Sequence, residues 1–294
     1  MKLRERALGA YLGFAVGDAL GAPVEFMTAD EIRHVHGTLR TMVGGGWLRL
    51  RPGQITDDTQ MSLHLGRALI AAQGWNARAA AEEFAVWLRS HPIDIGNTCR
   101  RGIRRYLLEG SLAGPMNEAD GGNGAAMRIL PLALATLHDD VGFAIAAREQ
   151  AHITHHHPLS DAATLGLGRM LHRLLRGEGI AAARETVAAL VVAHGQFRFD
   201  PWPGRASGYI VDTMQTVLHH FFASEGFEDC LVGIVNCGGD ADTNGALAGM
   251  LAGALHGVDA IPRFWLNRLE RTVTDEIEMQ TDALIKLALP PTHP

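Results

Sequence analysis

Glycine recurs at every fourth position, Gly9, Gly13, Gly17 and Gly21, within a segment whose Ala7, Leu8, Tyr11, Leu12 and Ala15 keep helical spacing from Glu5 to about Ala22. Such a helix carries a flat stripe without side chains. In a bilayer the pattern would suggest paired spans, but Asp18 and the flanking charges favour close helix packing in a water-soluble core. A second stretch, Asp240 to about His256, is almost wholly Ala, Gly, Leu and Met, with Ala246, Leu247, Gly249, Met250, Gly253 and Ala254. Small residues let neighbouring helices approach, so this helix is expected at the centre of the fold, with its acidic start facing an interior cleft.

The remaining apolar residues also repeat at helical spacing. Helices are expected over 56–73, 78–90, 129–137, 158–176, 180–194, 207–223 and 227–236, with two outer ones within 261–288. Residues 30–55, with Gly44-Gly45-Gly46-Trp47 and Pro52-Gly53, read as a loop wrapping toward Thr56, and 290–294 as a tail. No strand pattern, repeat or linker is evident. The fold expected is all-α, one domain over residues 1–294. A 47% hydrophobic content is ample for its core, and the net charge of −6 argues against a nucleic-acid partner. Three cysteines, Cys99, Cys230 and Cys237, without CxxC spacing suggest neither disulfides nor a zinc-thiolate site, and no signal or spanning segment stands out, so a cytoplasmic protein is expected.

Two acidic clusters begin helices. Thr56-Asp57-Asp58-Thr59 and Gly238-Gly239-Asp240-Ala241-Asp242-Thr243 each set two carboxylates and a hydroxyl within a few residues. Either alone reads equally as a helix cap, and Asp57 with Gln60 resembles a capping box. Four carboxylates brought together would repel unless neutralised, and oxygen-only ligands suit a hard divalent cation, so the pair points to a two-metal site. Asp18 and Glu25 are further acids near a tightly packed helix end, either bonded to backbone or facing a site, with Glu25 the better candidate for the latter.

Gly121-Gly122-Asn123-Gly124-Ala125-Ala126-Met127-Arg128 enters the helix expected at Ile129, as a phosphate cradle or as a plain loop and cap. His152, His155, His156 and His157 lack zinc-site spacing, and a hydrogen bond or stacking from one of them to a ligand is the better reading. After the turn-rich segment 91–98 a basic helix containing Arg100, Arg101, Arg104 and Arg105 is expected, and its charged run reads as a solvated face.

Together, Gly17-Asp18-Ala19-Leu20-Gly21-Ala22-Pro23-Val24-Glu25, Thr56-Asp57-Asp58-Thr59, Gly122-Asn123-Gly124-Ala125-Ala126-Met127-Arg128 and Gly238-Gly239-Asp240-Ala241-Asp242-Thr243 closely resemble the ADP-ribosylglycohydrolase family over nearly the whole chain. The segments 94–105 and 209–217 resemble its nitrogen-fixation branch. The resemblance implies an all-helical enzyme with two Mn²⁺ or Mg²⁺ ions that removes ADP-ribose from an arginine of dinitrogenase reductase, the nitrogenase iron protein. It makes Thr56, Asp57, Asp58, Asp240, Asp242 and Thr243 metal ligands and puts Glu25 beside them. It sets Gly122, Asn123, Gly124, Ala125 and Met127 around the diphosphate, and Asn97, His155 and Tyr209 along the ADP-ribose cleft. Asp94 resembles the acid near the scissile ribose, and Glu25 and Asp94 are the expected catalytic pair. Asn244 departs from the family, which carries Thr there. A PII-type signal protein, with membrane recruitment through it, is a further partner the resemblance implies.

Two rival functions remain open at this stage. One is a non-catalytic or slow ADP-ribose reader. The other is a di-iron bundle, which would want Glu-x-x-His pairs on facing helices that this chain does not show.

Overall fold

The computed structural model describes residues 1–289, so the tail expected at 290–294 lies outside the described residues. In chain order the helices are α1 (Leu3–Gly21), α2 (Ala29–His36), α3 (Asp57–Ala72), α4 (Ala77–Arg89), α5 (Asn97–Glu109), α6 (Leu130–Ala135) and α7 (Asp140–His152). They continue as α8 (Pro158–Leu175), α9 (Gly179–Ala193), α10 (Ile210–Ala223), α11 (Phe227–Val235), α12 (Ala241–His256), α13 (Arg263–Leu266) and α14 (Arg271–Ala288). Among the described residues there is no strand, only three isolated bridges, so the all-α expectation holds.

The glycine stripe of α1 is filled by the small-residue face of α12, laid antiparallel on it. A methyl group on Gly17 would stand 2.0 Å from the carbonyl oxygen of Gly245, one on Gly13 2.4 Å from that of Gly249, and one on Gly21 2.1 Å from that of Ala241. The fit is reciprocal, since a methyl on Gly249 would meet the Gly13 oxygen at 2.1 Å. Backbone therefore lies on backbone. Both helices are buried along most of their length, α1 from Ala7 to Gly21 and α12 from Ala241 to Ala254. Around them α14 and α3 cover α1, while α11, α10 and α8 cover α12. By length and composition residues 3–24 would pass for a membrane span, yet the 18 residues from Ala7 to Val24 are all buried inside the fold.

Three local expectations need correction. Residues 30–55 are not all loop: α2 starts from a capping box in which the Thr28 hydroxyl accepts from the Glu31 N–H at 3.2 Å and Glu31 accepts from the Thr28 N–H at 2.7 Å. Helix α7, capped by Asp139, fills a stretch in which no helix is expected from the sequence. The capping box suggested by Asp57 and Gln60 does not form. Asp18 reaches across from α1 instead, its carboxylate accepting from the Thr56 N–H at 3.1 Å and the Thr59 N–H at 3.2 Å, and from both threonine hydroxyls. Gln60 accepts from the Trp87 indole at 2.9 Å. A buried charge thus caps the helix, which satisfies the orphan N–H groups and the carboxylate together.

Candidate active site

Antiparallel packing brings the start of α12 to the end of α1, and this is why acids from opposite ends of the chain meet. Gly238 and Gly239, at φ of 71° and 67°, turn the chain between α11 and α12. A methyl on Gly238 would meet the Met27 oxygen at 2.0 Å, so the turn needs glycine for space as well as for φ. Two backbone bonds tie this turn to the segment after Glu25: Phe26 N–H to the Gly239 oxygen at 2.7 Å, and Gly239 N–H to the Met27 oxygen at 2.8 Å. As a result, oxygens of Glu25, Asp240 and Asp242 lie within 4.8 Å of one another, all three residues buried.

The first turn of α3 joins this group. Thr243 Oγ1 donates to Asp58 Oδ2 at 3.2 Å, and Asn123 donates from its amide to Asp240 Oδ2 and to Thr213 Oγ1. The acids face a cavity of about 440 Å³ lined by Glu25, Asp57, Asp94, Asp240 and Asp242, with no Lys or Arg in its wall. Burial, reinforced by the neighbouring carboxylates, raises Asp57 to about 8 and pushes Asp58 and Asp242 well up. Burial raises Glu25 to about 8, opposed by the Trp47 indole and assisted by Asp240. Burial also lifts Asp94, against the Ile95 N–H and Arg100. The Oδ1 atom of Asp58 is buried with no hydrogen-bond partner. A lone acceptor among uncompensated carboxylates and hydroxyl oxygens matches the donor set of a hard divalent cation.

The glycine loop also lines the cavity. Asn123 N–H donates to the Gly208 oxygen and Ile210 N–H to the Gly121 oxygen, fastening the loop to the start of α10. Turns occupy residues 124–128, and the following helix is only Leu130–Ala135, shorter than expected. The macrodipole argument for a phosphate here is correspondingly weakened, and the loop's backbone and His155 become its main polar features. A methyl on Gly124 would meet His155 Cε1 at 2.6 Å and Cys99 Sγ at 3.0 Å, so glycine admits the imidazole to the wall.

That imidazole is held in one tautomer. Arg128, fully buried and stacked over Phe84 at 4.4 Å, donates to Gln150 Oε1, the Gln150 carbonyl and Thr154 Oγ1 at 2.7 Å. Thr154 Oγ1 accepts from Arg128, and among the described residues the one acceptor in reach of its own hydrogen is His155 Nδ1, 2.8 Å away. The ring proton then sits on Nε2, beside Gly122 and Gly124. Burial and the nearby Arg128 and Arg101 depress His155 to about 3. The ring is therefore neutral.

Most of the residues singled out in the sequence meet here: Glu25, Asp57, Asp94, Asn97, Gly122, Asn123, Gly124, Met127, His155, Asp240, Asp242 and Thr243 line the cavity. Thr56, Asp58 and Ala125 are buried behind its wall, and Tyr209 lies at its edge, against Gly121 and 44% exposed. Asn244 is also buried, its amide donating to the Ala206 oxygen at 3.1 Å. Sequence reasoning missed Phe26, which lines the mouth, and treated Trp47 only as part of a loop. The available signal for Phe26 is a large aromatic directly after Glu25.

The fold and this constellation define a class: the chain belongs to the ADP-ribosylglycohydrolase family, whose model matches residues 1–292. Within that class it is similar to the ADP-ribosyl-[dinitrogen reductase] glycohydrolase of Rhodospirillum rubrum, 59% identical over 97% of each chain. It is 32% identical to the ADP-ribosylarginine hydrolase Tri1 of Serratia proteamaculans, over 90% of this chain and 75% of that one. A solved structure of an ADP-ribosylglycohydrolase-related protein complex superposes with a TM-score of 0.83 at 35% identity, covering 98% of this chain and 99% of the other.

Proposed function

We propose that the chain is a cytoplasmic, metal-dependent hydrolase that removes ADP-ribose from ADP-ribosyl-arginine on the nitrogenase iron protein. The observation that carries this reading is one cavity lined both by uncompensated acids and by a glycine loop with a neutral imidazole. High identity to the Rhodospirillum rubrum glycohydrolase supports the substrate, and the Tri1 name supports the arginine linkage.

Asp57, Asp58, Asp240 and Asp242, with Thr56 and Thr243, would hold two Mn²⁺ or Mg²⁺ ions. Bound there, the ions would supply Lewis acidity toward water and the ribose hydroxyls. The chain's own groups do the rest. The backbone of Gly122–Gly124 and the Nε2–H of His155 face the diphosphate and ribose, while Asn97 and Tyr209 border the nucleotide. Glu25, steadied by the Trp47 indole at 2.7 Å, accepts the proton of the attacking water. Asp94, whose Oδ1 accepts from the Ile95 N–H at 2.7 Å, delivers a proton to the departing nitrogen. The C–N bond breaks as the C–O bond forms, and free ADP-ribose and unmodified arginine leave.

The test offers arginine- and serine-linked ADP-ribosyl peptides with Mn²⁺ and follows released ADP-ribose. Faster release from the arginine peptide is expected. Tight binding without release would make the chain a reader, and equal rates would remove the linkage preference. Recruitment by a PII-type protein to the membrane belongs to the same proposal and rests on the family resemblance alone; co-sedimentation with vesicles, with and without that protein, tests it.

A further inference from the structure

Two aromatic side chains at the cavity mouth stay more than half exposed. Phe26 has φ of 65°, a left-handed backbone that a bulky side chain adopts only against resistance, and its side chain is 67% exposed. The strain is enforced by the Phe26 N–H bond to Gly239 described above. Trp47 follows three glycines with φ of 69°, 92° and 67°, and is 54% exposed. That turn is built in: a methyl on Gly46 would meet the Pro23 oxygen at 2.8 Å, and Gly45 and Leu50 exchange backbone bonds at 2.7 and 2.8 Å. The two rings stand 5.5 Å apart at 42°. Both line the cavity that Glu25 and Asp94 also line, and the Trp47 indole donates to Glu25 Oε2 at 2.7 Å.

We propose that Phe26 and Trp47 form an aromatic wall that receives the guanidinium of the departing arginine. This rests on the arginine-linked reading above and deepens it. If the glycine loop and His155 take the ADP-ribose, these rings and the carboxylates beside them are left to meet the leaving group. A planar, weakly hydrated cation suits both neighbours: ring faces attract it electrostatically, and the carboxylates accept from its N–H groups. A neutral serine leaving group gains neither. Trp47 is at the same time a positioning residue, since its N–H holds Glu25.

Three variants separate these roles. Phe26→Gly removes the ring and relieves the strained φ, so a purely structural role predicts unchanged kinetics in a protein at least as stable. The wall predicts that Phe26→Gly and Trp47→Ala raise KM for the arginine-linked peptide by about 3- to 30-fold. The calorimetric Kd for free ADP-ribose should stay within about twofold, as should KM for the serine-linked peptide. Trp47→Phe keeps a ring but loses the N–H, so it should mainly lower kcat. An unchanged arginine KM in Phe26→Gly overturns the wall, as does an equal loss of affinity for free ADP-ribose, which would put the rings at the nucleotide end. Should the wild-type protein fail to cleave the arginine peptide, the parent reading fails. The ratio of peptide affinity to ADP-ribose affinity, measured by calorimetry on the same variants, still decides the wall.

Discussion

Adding one methyl group at Gly17 is the sharpest perturbation available to this fold. The added carbon would lie 2.0 Å from the Gly245 oxygen and 2.3 Å from its carbonyl carbon. Ordinary contact needs roughly 3.2–3.5 Å, so α1 and α12 would have to part by more than about 1 Å. They cannot hinge open locally, because the Gly13 and Gly21 contacts on either side are equally tight. In an exposed helix Gly→Ala is stabilising by about 1 kcal/mol. Here overpacking of about 3 kcal/mol or more opposes it, because backbone rather than a flexible side chain must move. A net loss of at least about 2 kcal/mol is expected, which for a chain of this size lowers Tm by about 3 °C or more. Urea unfolding of Gly17→Ala would be compared with Gly195→Ala, whose added methyl meets nothing within 4 Å and which should stay within about 0.5 kcal/mol of the parent. A Gly17→Ala midpoint indistinguishable from that of Gly195→Ala would refute the reasoning.

Three other outcomes are expected. Asp57→Asn and Asp240→Asn should fold, with metal-free urea midpoints no lower than the parent because repulsion is relieved, yet lose activity; full activity after exhaustive chelation would count against any metal role. Glu25 and Asp57 are raised to about 8 and Asp18 to about 6, chiefly by burial, so these groups hold protons more tightly folded than unfolded. Metal-free protein should therefore lose stability as pH rises from about 4 toward 8, and a midpoint that climbs over that interval would contradict the assignment. Thr154→Val should uncouple Arg128 from His155 and weaken ADP-ribose binding by about tenfold, with Thr154→Ser restoring it. Calorimetry and imidazole nitrogen shifts would read both effects, and equal affinities in the two variants would remove the tautomer lock.

What the sequence made legible was whatever is written in short-range pattern. The glycine stripe, the small-residue helix and the two acidic helix starts each sit within a few turns, and each appears in the structure where expected. Contacts between distant segments were not legible. Asp57 and Gln60 imitate a local cap, but the carboxylate that takes those N–H groups belongs to Asp18, a different helix. The eight residues of α2 bury only Ile32, too few for a periodic signal, although the Thr28 and Glu31 spacing could have been read as its cap. The start of α7 was readable in the same way from Asp139 with Phe143, Ala146, Ala147 and Ala151 behind it. The role of Arg128 could not be read, because a buried guanidinium served by Gln150 and Thr154 looks in sequence like one more basic residue.

The α1–α12 contact also sets a schedule. About 220 residues separate Gly21 from Ala241, and at roughly 5–20 residues per second a ribosome needs about 10–45 s to make them. For that interval α1, apolar enough to pass for a membrane span, has been made while its backbone partner has not. A nascent chain halted before Ala241 should leave residues 3–21 open to protease or chaperone capture, and one extended until α12 clears the exit tunnel should protect them. Equal protection in both would mean that another helix shelters α1 first. The expectation is that α1, made well before α12, waits for it.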